Sequence, residues 1–305
     1  VGDYRGTAIH AAPGATGATT TLEMLNILEG FDVRALGAGS AETLHRWIEA
    51  SRLAFADRYR YLADAERVDV PWRGLLAEDY AARRRAAIGA RAATAYAAGD
   101  PWPFEGRARP EVSYRPSRPW EPEGTTHLSV VDGDRNAVAL TQTLLSWSGV
   151  VLPRSGVVMN DAMGWFDPLP GRANSIAPGK RGLNNMSPVI LLDEGRPWVT
   201  LGAPGGRRII GTVAQVISNL VDHRMGVQEA ITAPKIDCSE PVTRVDARIP
   251  ESVRADLEAR GHTLAVTEGT PGASPSAVLI DHRTGDLRGG EDPFSEGVAT
   301  GYSTP

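Results

Sequence analysis

The chain has 305 residues, a formal charge of −5 and 42% hydrophobic residues, enough for one or two packed domains with a sizeable core. Its 33 glycines and 22 prolines stay below the combined level of about 25–30% that marks low complexity, so they punctuate a packed fold. The mild acidity and the lack of a Lys/Arg stripe interleaved with aromatics argue against a nucleic-acid partner, the single Cys238 excludes a disulfide framework or cysteine-built metal cluster, and no apolar run is long enough to cross a membrane.

The opening "GDYRGTAIH" reads as ordered structure from the first residues, which suggests sequence upstream of Val1. "TTTLEMLNILEG" then sets Leu22, Leu25 and Leu28 at helical spacing and stops at Gly30. Ser40 is placed to N-cap a longer helix, "AETLHRWIEASRLAFADRYRYLAD", in which Leu44, Trp47, Ile48, Phe55 and Tyr59 recur at three- and four-residue intervals. "EDYAARRRAAI" reads as a third helix, with the basic run at 82–86 on its solvated face. From Pro101 to Glu123 six prolines and no periodicity read as a linker or exposed loop, accessible to cutting.

After Gly124 strands dominate. "THLSVVD" and "AVALTQTL" flank "GDRN", "GVVMND" follows, and "PVILLD" pairs with "WVTLGA" across "EGRP". Next come a helix with Ile209, Val213, Val216, Ile217 and Leu220 on one stripe, the amphipathic helix "SVRADLEARG", a last strand "SAVLIDH" and a glycine-rich tail. Strands grouped before helices suggest layered α+β packing and not a doubly wound parallel sheet.

Candidate chemistry is sparse. The six histidines are scattered without a ligand spacing such as HExxH, Cys238 reads as a small buried hydrophobe, and G-x-S-x-G is absent. "LGAPGGRRII" runs from a strand through Gly202, Gly205 and Gly206 into a helix, but matches neither G-x-G-x-x-G nor a P-loop, so nucleotide binding there is a distant reading. Two readings remain open: an oxyanion hole built from backbone N–H groups, or a tight turn demanded by strand-to-helix packing. Thr125 and Thr126 also carry two readings. Threonine is a good strand residue; a threonine at a chain terminus also carries an α-amine, pKa about 7.7–8.0, that can take its own hydroxyl proton. Gly124 lets the preceding peptide bond adopt the strained geometry that attack by Thr125 on the Gly124 carbonyl requires.

Taken together, "GDYRG", "TLHRWIEASRLAFADRYRYLAD", "TTHLSVVD", "GVVMND", "KRGLNNMSP", "GAPGGRRII" and "EDPFSEGVATGY" resemble the gamma-glutamyltransferase family of N-terminal nucleophile hydrolases over nearly the whole chain. The resemblance implies a four-layer αββα sandwich and a precursor that cuts itself between Gly124 and Thr125. Residues 1–124 would then be the end of the large subunit, with the Pro-rich linker at 101–123, and 125–305 the small subunit. It assigns Thr125 as nucleophile, Thr143 as its hydrogen-bonding assistant, and Gly205 and Gly206 as oxyanion donors. It implies no metal or organic cofactor, a small-molecule amide or peptide substrate, the upstream part of the large subunit as partner, and a periplasmic or extracellular location, with the cytoplasm still open.

The departures concern the acyl pocket. Where the family offers Asn, Gln and Asp to the γ-glutamyl α-amino group, this chain has Leu145, Ala162 and Trp165; where it has a Ser-Ser pair for the α-carboxylate, this chain has Asn184 and Asn185. An ammonium without its buried counter-charge forfeits about 2–5 kcal/mol, so a γ-glutamyl group is expected to bind poorly unless Asp161 or Asp167 takes over. The sharper expectation is altered specificity, toward a glutaryl-like or apolar acyl group with Trp165 as a wall; ordinary core packing is the other reading of Trp165. A catalytically silent or unprocessed homologue acting as a binding or structural protein is the competing class.

Overall fold

The computed structural model describes residues 1–110, 124–146 and 148–302. In chain order its elements are β1 (Gly2–Tyr4), β2 (Thr7–Ala11), α1 (Ala18–Glu29), α2 (Val33–Leu36), α3 (Ala41–Tyr61), α4 (Trp72–Leu76), α5 (Glu78–Arg85), β3 (Thr125–Val131), β4 (Ala137–Thr143), β5 (Val189–Asp193) and β6 (Arg196–Gly202). There follow α6 (Arg208–Val221), α7 (Val227–Thr232), β7 (Ile236–Asp237), β8 (Thr243–Asp246), α8 (Glu251–Ala259), β9 (Leu264–Thr267), β10 (Ser276–Ile280) and β11 (Leu287–Glu291). The α+β class expected from the element order holds.

The centre is a six-stranded sheet in the order β1-β2-β5-β6-β10-β11, with antiparallel neighbours throughout. Two of its hairpins turn on a non-glycine residue followed by glycine, both left-handed: Arg5-Gly6 and Glu194-Gly195, the backbone that matches strand twist. One face carries α1, α6 and α7. Gly2 sits against Leu22 of α1, and Gly290 of β11 leaves room for Ile231 of α7. The stripe read in the sequence, Ile209, Val213, Val216, Ile217 and Leu220, is buried in this layer, and α3 packs outside α1 with Trp47, Ile48 and Phe55 buried. Ser40 caps α3 as expected, its hydroxyl accepting from the Thr43 amide at 3.1 Å.

The opposite face carries the β3–β4 hairpin, in strict alternation. Thr125, His127 and Ser129 point inward; Leu128, Val130, Val138 and Leu140 point outward and are each about half exposed. The hairpin approaches β6 closely because Gly202 has no side chain: a β-carbon there would stand 2.2 Å from the His127 ring. His127 lies between the hydroxyls of Thr141, at 2.7 Å, and Ser129, at 2.9 Å. A third sheet, β7-β8-β9, pairs β8 with β9 in parallel.

Four local expectations change. "LRGGE", read as part of a glycine-rich tail, is strand β11, where the missing side chain of Gly290 admits α7. "GVVMND" forms only an isolated bridge, Val151 with Val158. The basic run of α5 turns partly inward: Arg84 is buried against Asp57 at 3.0 Å, and Arg85 donates to the Asn26 and Ile27 carbonyls. The scattered histidines partly converge, since His45 Nδ1 and His262 Nε2 meet at 2.7 Å beside Glu49. In the Pro-rich stretch, Trp102 is buried and Glu105 accepts from the Gly74 amide at 2.7 Å; residues 111–123 lie outside the described ones.

Burial pushes the imidazoles of His127 and His262 down to about 4, with the neighbouring His45 adding to the effect on His262. Both rings are neutral in the fold, whereas an unfolded chain protonates them below about pH 6.5. Stability is therefore complete above that value and falls as the pH drops toward about 4. The urea midpoint is expected to fall between pH 7 and pH 5, and His127→Gln with His262→Gln to flatten that fall.

Candidate active site

The register of β3 on β4 sets Thr125 directly opposite Thr143, and the alternation sends both to the inner face. Thr143 Oγ1 donates to the Gly124 carbonyl at 2.8 Å and accepts from the Leu145 amide at 2.8 Å. The Leu144 amide adds a second bond to the same Gly124 oxygen, at 3.2 Å. The carbonyl of the Gly124–Thr125 peptide thus carries two donors. Gly124 is required by packing as well, because a β-carbon there would lie 1.8 Å from the Leu145 carbonyl oxygen.

A narrow cleft of about 10 Å³ opens beside Thr125, room for roughly one water. Of the residues singled out in the sequence, Thr125, Thr143, Leu145, Trp165, Asn185 and Gly206 line it together. Gly205, Asn184 and Ala162 are neighbours that do not reach its wall. Met186 and Ile209 complete the lining and were not foreseen: Met186 follows Asn185 in one loop, and Ile209 is buried in the first turn of α6. None of the lining side chains is charged, and four of them, Leu145, Trp165, Met186 and Ile209, are apolar.

Gly205 and Gly206 stand in left-handed backbone just ahead of α6, with φ of 137° and 62°. A β-carbon on Gly205 would press on Ala273 at 2.7 Å. The tight-turn reading of "GAPGG" accounts for both glycines, and Gly206 also lines the cleft.

The two carboxylates considered as substitutes are engaged elsewhere. Asp161 accepts from the Ser146 amide at 3.0 Å and the Ser146 hydroxyl at 2.7 Å. Asp167 is buried and accepts from the Leu169 amide at 2.9 Å and from Arg172 at 2.7 Å. Neither lines the cleft. Cys238 is buried with its thiol pushed up to about 12 by burial, which suits a packing role.

The Asn184–Met186 loop is held from behind. Arg58 of α3, 1% exposed, donates to the carbonyls of Thr16 at 3.0 Å and Asn184 at 2.7 Å and to Asn185 Oδ1 at 2.7 Å. The Asn184 amide donates to Ala15 and the Gly17 amide to Met186, each at 2.9 Å. Gly17 permits this contact, since a β-carbon would sit 2.4 Å from the Asn185 carbonyl oxygen. Fixing Asn185 Oδ1 on Arg58 turns its NH₂ edge the other way, so the side chain presents donors, not an acceptor, on that edge.

Comparison with known proteins gives a consistent picture. The family described as Gamma-glutamyltranspeptidase matches residues 1–302. The chain is 35% identical to the glutathione hydrolase proenzyme of Escherichia coli over 99% of its own length and 52% of that protein. It is 42% identical to the acylase ACY 1 proenzyme of Pseudomonas sp. strain SE83 over 86% of its own length and 44% of that protein. Its fold superposes on cephalosporin acylase from Bacillus halodurans with a TM-score of 0.85 at 27% identity, covering 99% of this chain and 52% of the other. The chain therefore spans about half the length of the curated relatives it matches.

Arg58→Met leaves three acceptors without their donor, the buried Asn185 Oδ1 and the partly buried carbonyls of Thr16 and Asn184. The expected cost is at least about 3 kcal/mol, read as a lowered urea midpoint.

Proposed function

The chain belongs to the gamma-glutamyltranspeptidase family, and from that premise we propose that it is an amidohydrolase or acyltransferase whose nucleophile is Thr125, released by self-cleavage after Gly124. The observation that carries this reading is the pair of donors, Thr143 Oγ1 and the Leu144 amide, on the carbonyl that Thr125 would attack.

The steps balance without a cofactor from outside. Thr125 Oγ adds to the Gly124 carbon, and the two donors hold the charge that develops on its oxygen. The C–N bond breaks as the Thr125 nitrogen takes up the hydroxyl proton, leaving an ester that water hydrolyses. The freed α-amine then serves as base for the same hydroxyl in attack on an amide substrate, and passes the proton to the leaving amine. Thr143, no longer bonded to Gly124, turns its hydroxyl to the nucleophile. Backbone N–H groups at Gly205 and Gly206 receive the substrate oxyanion, and water or an acceptor amine resolves the acyl-enzyme.

The acyl group is read from the wall of the cleft. Among the described residues that line the cleft none is charged, and Asp161 and Asp167 are engaged elsewhere, so none of these offers a counter-charge to an α-ammonium, whereas Leu145 and Trp165 offer apolar surface. The relatives named acylases and glutathione hydrolases are in keeping with cleavage of an amide, and the choice of a glutaryl-like or apolar acyl chain rests on the lining alone. The outer face of the β3–β4 hairpin, with four half-exposed aliphatic side chains, is where we place the partner, the upstream part of the large subunit.

Intact-mass analysis of the full-length protein is expected to give two fragments, the second beginning Thr-Thr-His, and Thr125→Ala to leave one uncut chain. A wild-type chain that stays whole and turns over no acyl anilide would instead support the silent-homologue alternative. Thr143→Val, which removes one donor from the scissile carbonyl, should slow cleavage about 10²–10³-fold, with Thr143→Ser restoring most of the rate. Glutaryl anilide is expected to be turned over in preference to γ-glutamyl anilide.

A further inference from the structure

A second cavity, of about 470 Å³, lies between the end of α3, α5 and the stretch that follows them, and it shares no residue with the cleft beside Thr125. Four arginines line it, Arg60, Arg83, Arg84 and Arg109, against a single carboxylate, Asp100. Tyr80, Arg83, Arg84 and Ala87 reach its wall at three- and four-residue spacing, one face of α5 and the turn after it. In a chain whose formal charge is −5, this is a local reversal of sign.

The arginines around the cavity differ in what they bind. Arg84 is committed inside the protein, to Asp57 and to the Leu53 and Ala97 carbonyls, each at 3.0 Å. Arg46, Arg52, Arg85 and Arg107, on the same helices and the stretch beyond, likewise donate to backbone carbonyls. Arg60 does not: its guanidinium lies over the Tyr61 ring at 5.5 Å, and its Nε is buried without an acceptor. Among the described residues Arg83 has no hydrogen-bond or ion-pair partner, and Arg109 meets Asp100 at 3.8 Å with both side chains 44% exposed. A basic residue in the last turn of a helix suits the carbonyl end of its dipole, which accounts for the residue type at 60 and 83. It leaves the desolvated Nε of Arg60 unexplained, since a guanidinium taken from water is costly until its donors are used. Both tyrosine rings are tethered, Tyr61 by donating to the Gly99 carbonyl at 2.6 Å and Tyr80 by donating to Asp57 at 2.8 Å, so the cavity has fixed aromatic sides.

We propose that this cavity binds the phosphate group of a small organic molecule between Arg60, Arg83 and Arg109. Guanidinium forks take carboxylate and phosphate alike, but a tetrahedral phosphate has oxygen atoms for three forks where a carboxylate has two in one plane. The phosphate replaces the long contact from Asp100 on Arg109 and gives Arg60 and Arg83 the acceptors they lack. The remaining volume holds the body of the molecule against Tyr61 and Tyr80.

Titration calorimetry on the full-length protein at constant ionic strength tests this with phenyl phosphate, inorganic phosphate and succinate. Phenyl phosphate is expected to saturate one site per chain, about five-fold or more tighter than inorganic phosphate, with succinate weaker than either. Arg60→Gln with Arg83→Gln should weaken phenyl phosphate at least about ten-fold, and Arg109→Gln, at an exposed position, at least about three-fold. Arg283→Gln, an exposed arginine outside the cavity, should leave binding unchanged. Circular dichroism separates a failure to fold from a loss of binding, and the Arg109 variant carries the test if the double variant unfolds. Absence of saturable binding to wild type, folded cavity variants that bind as wild type does, or an equal loss in Arg283→Gln overturns the site. Succinate as tight as phenyl phosphate overturns the phosphate class, and inorganic phosphate as tight overturns the organic ligand. The readout is binding alone, so the site stands or falls apart from the acyl-transfer reading.

Discussion

A buried guanidinium carries the arrangement of this site. Arg58 spends its donors on three oxygen atoms from two separate stretches of chain, the segment leading into α1 and the loop that brings Asn185 to the cleft. A cation taken out of water is costly unless its donors are satisfied, so the position of those oxygens is not negotiable once Arg58 is inside the core. The loop carries no regular secondary structure. It is nonetheless fixed, because the close approach at Gly17 and the hydrogen bonds from the Asn184 amide to the Ala15 carbonyl and from the Gly17 amide to the Met186 carbonyl repeat the same constraint from the backbone side. Asn185 and Met186 inherit their placement from a helix whose own residues never reach the cleft.

The hairpin contributes the other half by simpler means. Strand alternation and cross-strand register are enough to put two hydroxyls side by side, and the end of β4 then wraps back so that Thr143 and Leu144 grip the Gly124 carbonyl. The cleft between hairpin and loop is closed by α6, whose first turn supplies Ile209 and whose approach supplies Gly206. Three of the stretches that meet there are held in different ways: the hairpin by ladder pairing, the Asn185 loop by a buried ion, and Ile209 by the start of a helix.

What was legible in the sequence follows this division. Features encoded locally were readable: Ser40 as the cap of α3, the β5–β6 hairpin, the apolar stripe of α6, and the threonine pair at the start of a strand. Convergence of Thr125, Leu145, Trp165, Asn185 and Gly206 was reachable only through family resemblance, since nothing in their spacing brings them together. Met186 and Ile209 look like any buried apolar residue. Arg84 and Arg85 read as solvated because their acceptors, Asp57 and the end of α1, are distant in sequence. Strand β11 was hidden by its glycines, Gly290 making room for α7 and Gly289 for Ala299, which leave it without the alternation that marks a strand. Asn184 lies off the wall one residue before Asn185, and Ala162 three before Trp165, differences that only a fold resolves.

The notch at Gly202 has a consequence for which of two adjacent threonines matters. Sliding a strand by a single residue turns all of its side chains over, and Thr126 would then point inward in place of Thr125. The His127 ring seated over Gly202 acts as a key in a slot, and a slipped strand would have to drive a different side chain into that space. A missing methyl group on one strand thus selects between two chemically identical hydroxyls on another.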